Sequence, residues 1–370
     1  MTRMKQVSEK GQTDVLKQTA ETDASTSTSP NSPPAEMPAQ RITSAVHAFG
    51  RPSKPAPSVP KAETALKKIW LLLRSQTGHD FSRYKPSTLL RLIEWRMAAH
   101  QIETMEEYIR FAQQTPEEVE VLFRDLLIGV TNFFRDPEAF KALEEQIVPK
   151  LFADRPANAV IRVWSVGCST GEEAYSLAIL LAEHMAAIGQ SFHVQIFATD
   201  IDSWAIATAR AGVYPASIAT DVSPERLARF FTAGLDNSAF RINKTIRDML
   251  VFSEQNVIQN PPFSRLDLIS CRNLMIYMSA ELQRIIIPLF HYALNPGGVL
   301  FLGTSESVGE FWDIFTMLEC RHKLYQRKED LSYVQRKDLK RFVPSMATID
   351  AASPQAVFGS AGRRGSGEGE

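Results

Sequence analysis

Gly167 and Gly171 close the stretch VIRVWSVGCSTG at residues 160–171, and Asp200 ends a second apolar run, HVQIFATD, at residues 193–200. Glycine lets the backbone come close to a ligand, and the first N–H groups of a following helix face it with positive polarity. An acid at the carboxyl tip of the next strand suits paired hydrogen bonds to ribose hydroxyls. These features predict a nucleotide cradle. Arg135, just upstream of the helix that precedes the cradle, is the cation that draws notice. A dinucleotide oxidoreductase would show G-x-G-x-x-G, with its acid about twenty residues further on. Here the turn is G-x-x-x-G, the acid comes later, and no Walker lysine follows the turn. Together with an N-P-G-G turn leading into an apolar strand at 295–303, the pattern favours the adenosylmethionine-dependent methyltransferase version of the sheet.

Periodicity supplies the elements that must position these residues. Residues 160–166, 193–199, 266–270, 299–303 and 322–327 read as strands, alternating with helices over 174–181, 203–211 and 280–294. Such alternation predicts a mostly parallel, doubly wound sheet with helices on both faces. Ligands then bind outside the carboxyl ends of the strands, where Gly167, Asp200, Asn256 and Asn273 fall. Residues 213–250 break the rhythm and read as an inserted subdomain, with strands at 240–246 and 248–252, the second returning to the main sheet. Pro288 predicts a kink or break in the helix that contains it. Upstream, residues 63–129 are helical throughout. Ser87 is a candidate cap, and Thr104–Glu107, Thr115–Glu118 and Ser169–Glu172 have capping-box spacing. Arg91 and Arg96, with Arg83 and Lys85, read either as a basic face for an acidic partner or as a solvated helix face.

The expected organisation is a leader over 1–61, a helical domain over 62–130 and a connecting helix over 131–152. A catalytic domain follows over 153–328, with 213–250 inserted, and then a C-terminal extension over 329–370. The leader and the end of the extension are rich in Ser, Thr, Pro and Gly and hold too little apolar surface to offset the entropy of ordering. With 370 residues and 44% hydrophobic content there is material for more than one core. A net charge of −1 gives no basic field for nucleic acid or anionic lipid. Three scattered cysteines predict reduced thiols in a cytoplasmic protein, with neither disulfide framework nor metal site. No stretch is apolar over the length of a membrane span.

Five segments in order, TNFFRD (131–136), WSVGCSTGEEAYSLA (164–178), FATDID (197–202), CRNLMIY (271–277) and NPGGVLFLGTSE (295–306), resemble the CheR family of chemotaxis-receptor methyltransferases. The resemblance covers about residues 66–327, and SQTGHDFSRYKPST at 75–88 is closest to the CheR portions of CheB/CheR fusion proteins. It implies methyl transfer from S-adenosyl-L-methionine to glutamate carboxylates of chemoreceptor cytoplasmic helices, leaving S-adenosyl-L-homocysteine. A methylesterase or other signalling domain would be a further partner. It also implies residue roles. Thr131, Arg135 and Glu172 would contact the cofactor, Asp200 its ribose, and Asn256 with Val257 its adenine. Gly167 and Gly171 would form the turn, and Arg272 and Asn273 would reach the methionyl end or shape the pocket. Tyr277 and Arg135 would face the reacting centre. Gly129 stands where many members carry Asn, which puts one polar cofactor contact in doubt. Two other readings stay open. One is a cofactor-binding signalling module without turnover. The other, from Asn260-Pro261-Pro262-Phe263, is an amino-methylating nucleic-acid enzyme.

Overall fold

The computed structural model describes residues 59–156 and 159–328. The extension expected over 329–370 lies outside the described residues. The leader expected up to residue 61 is described only at its end, where the first helix, Val59–Thr77, has already begun. Gly78 stops that helix at φ +77°, its N–H returning to the Arg74 carbonyl. Helices Pro86–Ala99, Met105–Gln114 and Pro116–Leu126 complete the helical domain. Leu66, Ile69, Leu73, Ile93, Tyr108 and Val119 are buried at its centre.

Ten strands follow: β1 Val160–Val166, β2 His193–Asp200, β3 Val213–Pro215, β4 Phe231–Ala233, β5 Ala239–Ile242, β6 Leu250–Glu254, β7 Leu266–Cys271, β8 Leu294–Leu302, β9 Phe315–Glu319 and β10 Leu324–Arg327. Seven form one sheet in the order β6-β2-β1-β7-β8-β10-β9, and β3-β5-β4 form a separate small sheet. β1 pairs in parallel with β2 on one side and β7 on the other. β10 runs antiparallel to β8 and β9. Helices cover both faces, so β1 is an almost continuous apolar run rather than an alternating one. From β1 the chain moves outward through β2 to β6, then returns to build β7 and β8 on the other side. The reversal leaves a crevice at the carboxyl ends of β1 and β7. Helix Glu172–Ile188 leaves the first of these ends. The small β3-β5-β4 sheet is the insertion expected within 213–250.

Several local expectations are corrected. The strand expected over 240–246 stops at Ile242, because Asn243 opens a helical turn, Lys244–Arg247. Pro288 does not break its helix, which is continuous over Ala280–Ala293. Asn295-Pro296-Gly297-Gly298 is absorbed into β8 as an irregularity in its register with β7. The half-exposed β9 carries no clear period and was not expected. Thr104 and Glu107 do form a capping box. Ser87 caps nothing, since its helix starts at Pro86. Ser169 and Glu172 form no box either, because Gly171 is the N-cap.

The third candidate box fails because Glu118 turns inward. It accepts hydrogen bonds from Arg96, from the Tyr108 hydroxyl at 2.7 Å, and lies 2.8 Å from His100 Nε2. Arg96 also pairs with Asp125 at 3.4 Å, and its side chain is only 12% exposed. It is therefore withdrawn from the expected basic face, which leaves Arg83, Lys85 and Arg91 exposed. Burial works to raise the Glu118 carboxyl, but the hydrogen bonds from Arg96 and Tyr108 outweigh it and hold the group below its usual range. Glu118→Ala leaves Arg96 mostly buried without its main partner. It is expected to cost about 3–5 kcal/mol, against about 1 kcal/mol for opening the exposed Thr104–Glu107 box with Thr104→Ala. Urea unfolding of both variants beside the wild type checks the contrast.

Candidate functional site

The crevice at the switch point is a cleft of about 1090 Å³ including its open mouth. Thr131, Arg135, Gly167, Asp200, Asn256, Val257, Arg272, Asn273 and Tyr277 all line it. The ends of β1, β2 and β7 carry Gly167, Asp200 and Arg272. Segments that follow β6 and β7 carry Asn256 and Tyr277, and the segment leaving the helical domain carries Thr131 and Arg135. Gly167 has φ +68°, a left-handed backbone that a Cβ would strain, and its N–H donates to the Thr199 carbonyl. The turn is thereby tied to the neck of β2.

Asp200 is set by two backbone donors, Ser169 N–H at 2.8 Å on Oδ2 and Asp202 N–H at 3.0 Å on Oδ1. Each oxygen keeps lone-pair capacity, so the carboxyl can still receive two hydroxyl donors. Burial pushes this carboxyl above its usual range, and the N–H donors oppose the shift. Arg272 is the most deeply held charge in the site, with no exposed side-chain surface. Its Nη2 bonds Asp136 at 2.8 Å and the Arg135 carbonyl at 2.9 Å, while Nη1 lies 3.5 Å from Glu173. Its guanidinium also sits over Phe140 and Phe301. Nε and Nη1, both buried, have no hydrogen-bond partner among the described residues.

Two expected residues fall elsewhere. Gly171 packs against the neighbouring helix, where an added Cβ would lie 2.9 Å from Ala209 Cβ. Glu172 is outside the cleft lining and accepts from the Thr170 hydroxyl at 2.7 Å. Its neighbour Glu173 lines the cleft instead, held by Ser165 at 3.1 Å and Ser270 at 2.7 Å. Adjacent helical residues point about 100° apart, so only the phase of the helix separates the two acids. Gly129 reaches the site through its carbonyl, which the Ser169 hydroxyl approaches at 3.4 Å.

Arg135 lines the cleft with Nη1 on the Val130 carbonyl at 2.5 Å. Tyr277 is half-buried, and burial raises its hydroxyl above the usual value while Arg135 opposes the rise. It therefore stays a protonated donor at neutral pH. Tyr84, from the helical domain, lines the same cleft, with its hydroxyl pushed up to about 12 by burial and by Asp200. The joint is made of backbone: Tyr84 bridges Met278, Lys85 N–H donates to the Tyr277 carbonyl at 2.8 Å, and Ser279 N–H donates to the Arg83 carbonyl at 3.0 Å.

Glu306 is a further residue missed from sequence. Its buried carboxylate accepts from the N–H groups of Gly303 at 2.7 Å, Asn273 at 2.9 Å and Ile276 at 3.2 Å. It thereby braces the loop between Arg272 and Tyr277. Its position in GTSE gives no sign of that role. In the N-P-P-F segment, Phe263 stacks on Phe197 at 4.1 Å, and Asn260 accepts from the Asn256 N–H at 2.8 Å. The segment is engaged in packing and in shaping the turn that carries Asn256.

Residues 129–324 match the SAM-binding domain of CheR methyltransferases, and residues 64–127 match their all-alpha domain. An uncharacterized 104.1 kDa protein in the hypE 3' region of Rhodobacter capsulatus is 39% identical over 262 residues, 71% of this chain and 27% of that protein. Chemotaxis protein methyltransferase 2 of Vibrio cholerae is 34% identical over 217 residues, 58% of this chain and 74% of its own length. Chemotaxis protein methyltransferase 1 of Pseudomonas aeruginosa is 35% identical over 194 residues, 51% of this chain and 70% of its own. The chain thus spans about a quarter of the Rhodobacter relative's length. Its helical domain and its sheet with the cleft carry the two matches in order, and the chain belongs to the CheR methyltransferase family.

Proposed function

We propose that this chain transfers a methyl group from S-adenosylmethionine to glutamate side-chain carboxylates of chemoreceptors, forming methyl esters. The observation that carries this reading is one cleft holding both the Asp200 carboxyl and the Arg135–Tyr277 pair. When bound, the cofactor supplies an electrophilic methyl group on a sulfonium. Asp200 would receive the ribose hydroxyls, Asn256 and Val257 would frame the adenine, and Thr131 and Asn273 would add polar contacts along the chain of the cofactor. Glu173, backed by the buried Arg272, would face the charged methionyl end.

The acceptor needs no general base. A glutamate side chain, with a pKa of about 4.3, is already an anion at neutral pH. The protein's work is alignment and exclusion of water. Arg135 would orient the carboxylate with its fork, and Tyr277 would donate one hydrogen bond. Too tight an ion pair would blunt the nucleophile, so Arg135 acts by positioning. The exposed Arg83, Lys85 and Arg91, close in sequence to Tyr84, suit the acidic surface of receptor helices. A methylesterase or other signalling domain is a further partner in this reading.

Tritiated S-adenosylmethionine with receptor-containing membranes tests the reaction. Wild-type protein is expected to leave base-labile label on receptor glutamates, and Arg135→Ala to lose about a hundredfold in kcat/KM. Cofactor binding without label on any receptor would defeat the reading in favour of a signalling module. Tyr277→Phe is expected to lower kcat about tenfold with cofactor affinity unchanged, as for loss of one hydrogen bond in the transition state. Glu173→Gln is expected to weaken S-adenosylhomocysteine binding about tenfold by calorimetry, while Glu172→Gln stays within about twofold. The reverse order would return the cofactor contact to Glu172.

A further inference from the structure

Asn256 is held from three sides. Its N–H donates to Asn260 Oδ1 at 2.8 Å, its own Oδ1 accepts from Ile258 N–H at 3.0 Å, and its Nδ2 lies 3.3 Å from His79 Nδ1. The first two contacts belong to its own loop. The third comes from the helical domain. His79 directly follows the Gly78 cap, and its N–H donates to Thr77 Oγ1 at 3.3 Å. Its ring lies flat on Phe123, with centroids 5.2 Å apart and planes within 7°. Ring and amide are therefore both fixed in orientation.

The position of the proton follows from these bonds. Ile258 N–H occupies Asn256 Oδ1, so the amide must present its NH₂ group to His79. An NH₂ donor needs a lone pair opposite, so His79 Nδ1 is bare and its proton sits on Nε2. A doubly protonated ring has no lone pair and would turn a second donor toward the NH₂. The contact exists only with a neutral ring.

We propose that His79 is a positioning residue for cofactor binding: its neutral ring, carried by the helical domain, holds the Asn256 amide in the orientation that frames the adenine. The proposal rests on the assignment of Asn256 to the adenine end. The charges around the ring are few. Glu254, on β6, acts across from it and favours protonation, while burial disfavours the charged ring and is the larger effect, holding its pKa below 6.5. On its own segment, Asp80 accepts from Ser82 N–H at 2.9 Å and pairs with Arg74 at 3.6 Å. From the packed helix Pro116–Leu126 the group against the ring is Phe123, which does not titrate. Cofactor affinity should therefore be level above about pH 6.5 and fall on acidification as the ring takes a proton.

The test titrates S-adenosylhomocysteine calorimetrically into the full chain between pH 5 and pH 8. His79→Phe keeps the ring on Phe123 and removes the acceptor. It is expected to weaken binding about fivefold to tenfold at pH 8 and to show a smaller acid-dependent fall than the wild type. His79→Gln supplies a carbonyl acceptor that does not titrate, so it should bind near the wild-type value at pH 8 and fall less than the wild type toward pH 5, any remaining fall belonging to the Asp200 carboxyl that burial raises. In turnover, both effects should appear in KM for the cofactor and leave kcat unchanged, because the adenine end is remote from the reacting centre. Wild-type affinity in His79→Phe at every pH, or an acid fall in His79→Gln equal to that of the wild type, would overturn the proposal. Asn256→Ala separates the two levels. Weakened binding in Asn256→Ala with none in His79→Phe removes His79 alone. Undiminished binding in Asn256→Ala removes the adenine assignment and His79 with it.

Discussion

The site depends on one buried guanidinium. Arg272 has no side-chain surface in contact with solvent, and it faces Asp136 at the entry of the connecting helix and Glu173 on the helix that leaves β1. An isolated buried cation costs several kcal/mol, so the fold is viable only where these carboxylates and the Arg135 carbonyl stand against it. That requirement fixes three separate stretches of chain to one another: the segment leaving the helical domain, the central helix and the loop after β7. Phe140 and Phe301 close the remaining sides. Arg135 is placed because Arg272 holds its carbonyl, and Asn273 because it follows Arg272 directly in the chain.

Much of this was legible in the chain. The strand–glycine turn–helix around Gly167 and the acid ending β2 are local patterns whose physics is local, and the structure puts both at the switch point of the sheet. The alternation of apolar runs was enough to imply a doubly wound sheet, because parallel strands covered on both faces are continuous apolar runs. What failed depended on direction rather than on type. Glu172 and Glu173 are equally plausible in sequence, and only helix phase assigns one to the cleft. Glu118 has the spacing of a capping residue, yet it is drawn inward by Arg96 and Tyr108, from two other helices. Gly171 was read as a ligand-facing glycine, but Ala209 on another helix is what excludes its side chain.

The contributions of Tyr84 and Glu306 were illegible for a related reason. Each acts on a loop far away in sequence, and neither belongs to a pattern that spacing could reveal. Glu306 works on backbone N–H groups, so its partners leave no trace in residue type. The helical domain, which reads as a separate bundle, is in fact one wall of the cleft.

The joint at residues 83–85 bears on how such a protein can drift. It is made by main-chain atoms, the Arg83 carbonyl and the Lys85 N–H, which every residue except proline can provide. Tyr84 lines the cleft while Arg83 and Lys85, on either side of it, are exposed. The same three residues therefore carry an architectural contact and an outward chemical surface that do not constrain each other. Mutation can rewrite the outward charges while the wall of the cleft stays in register.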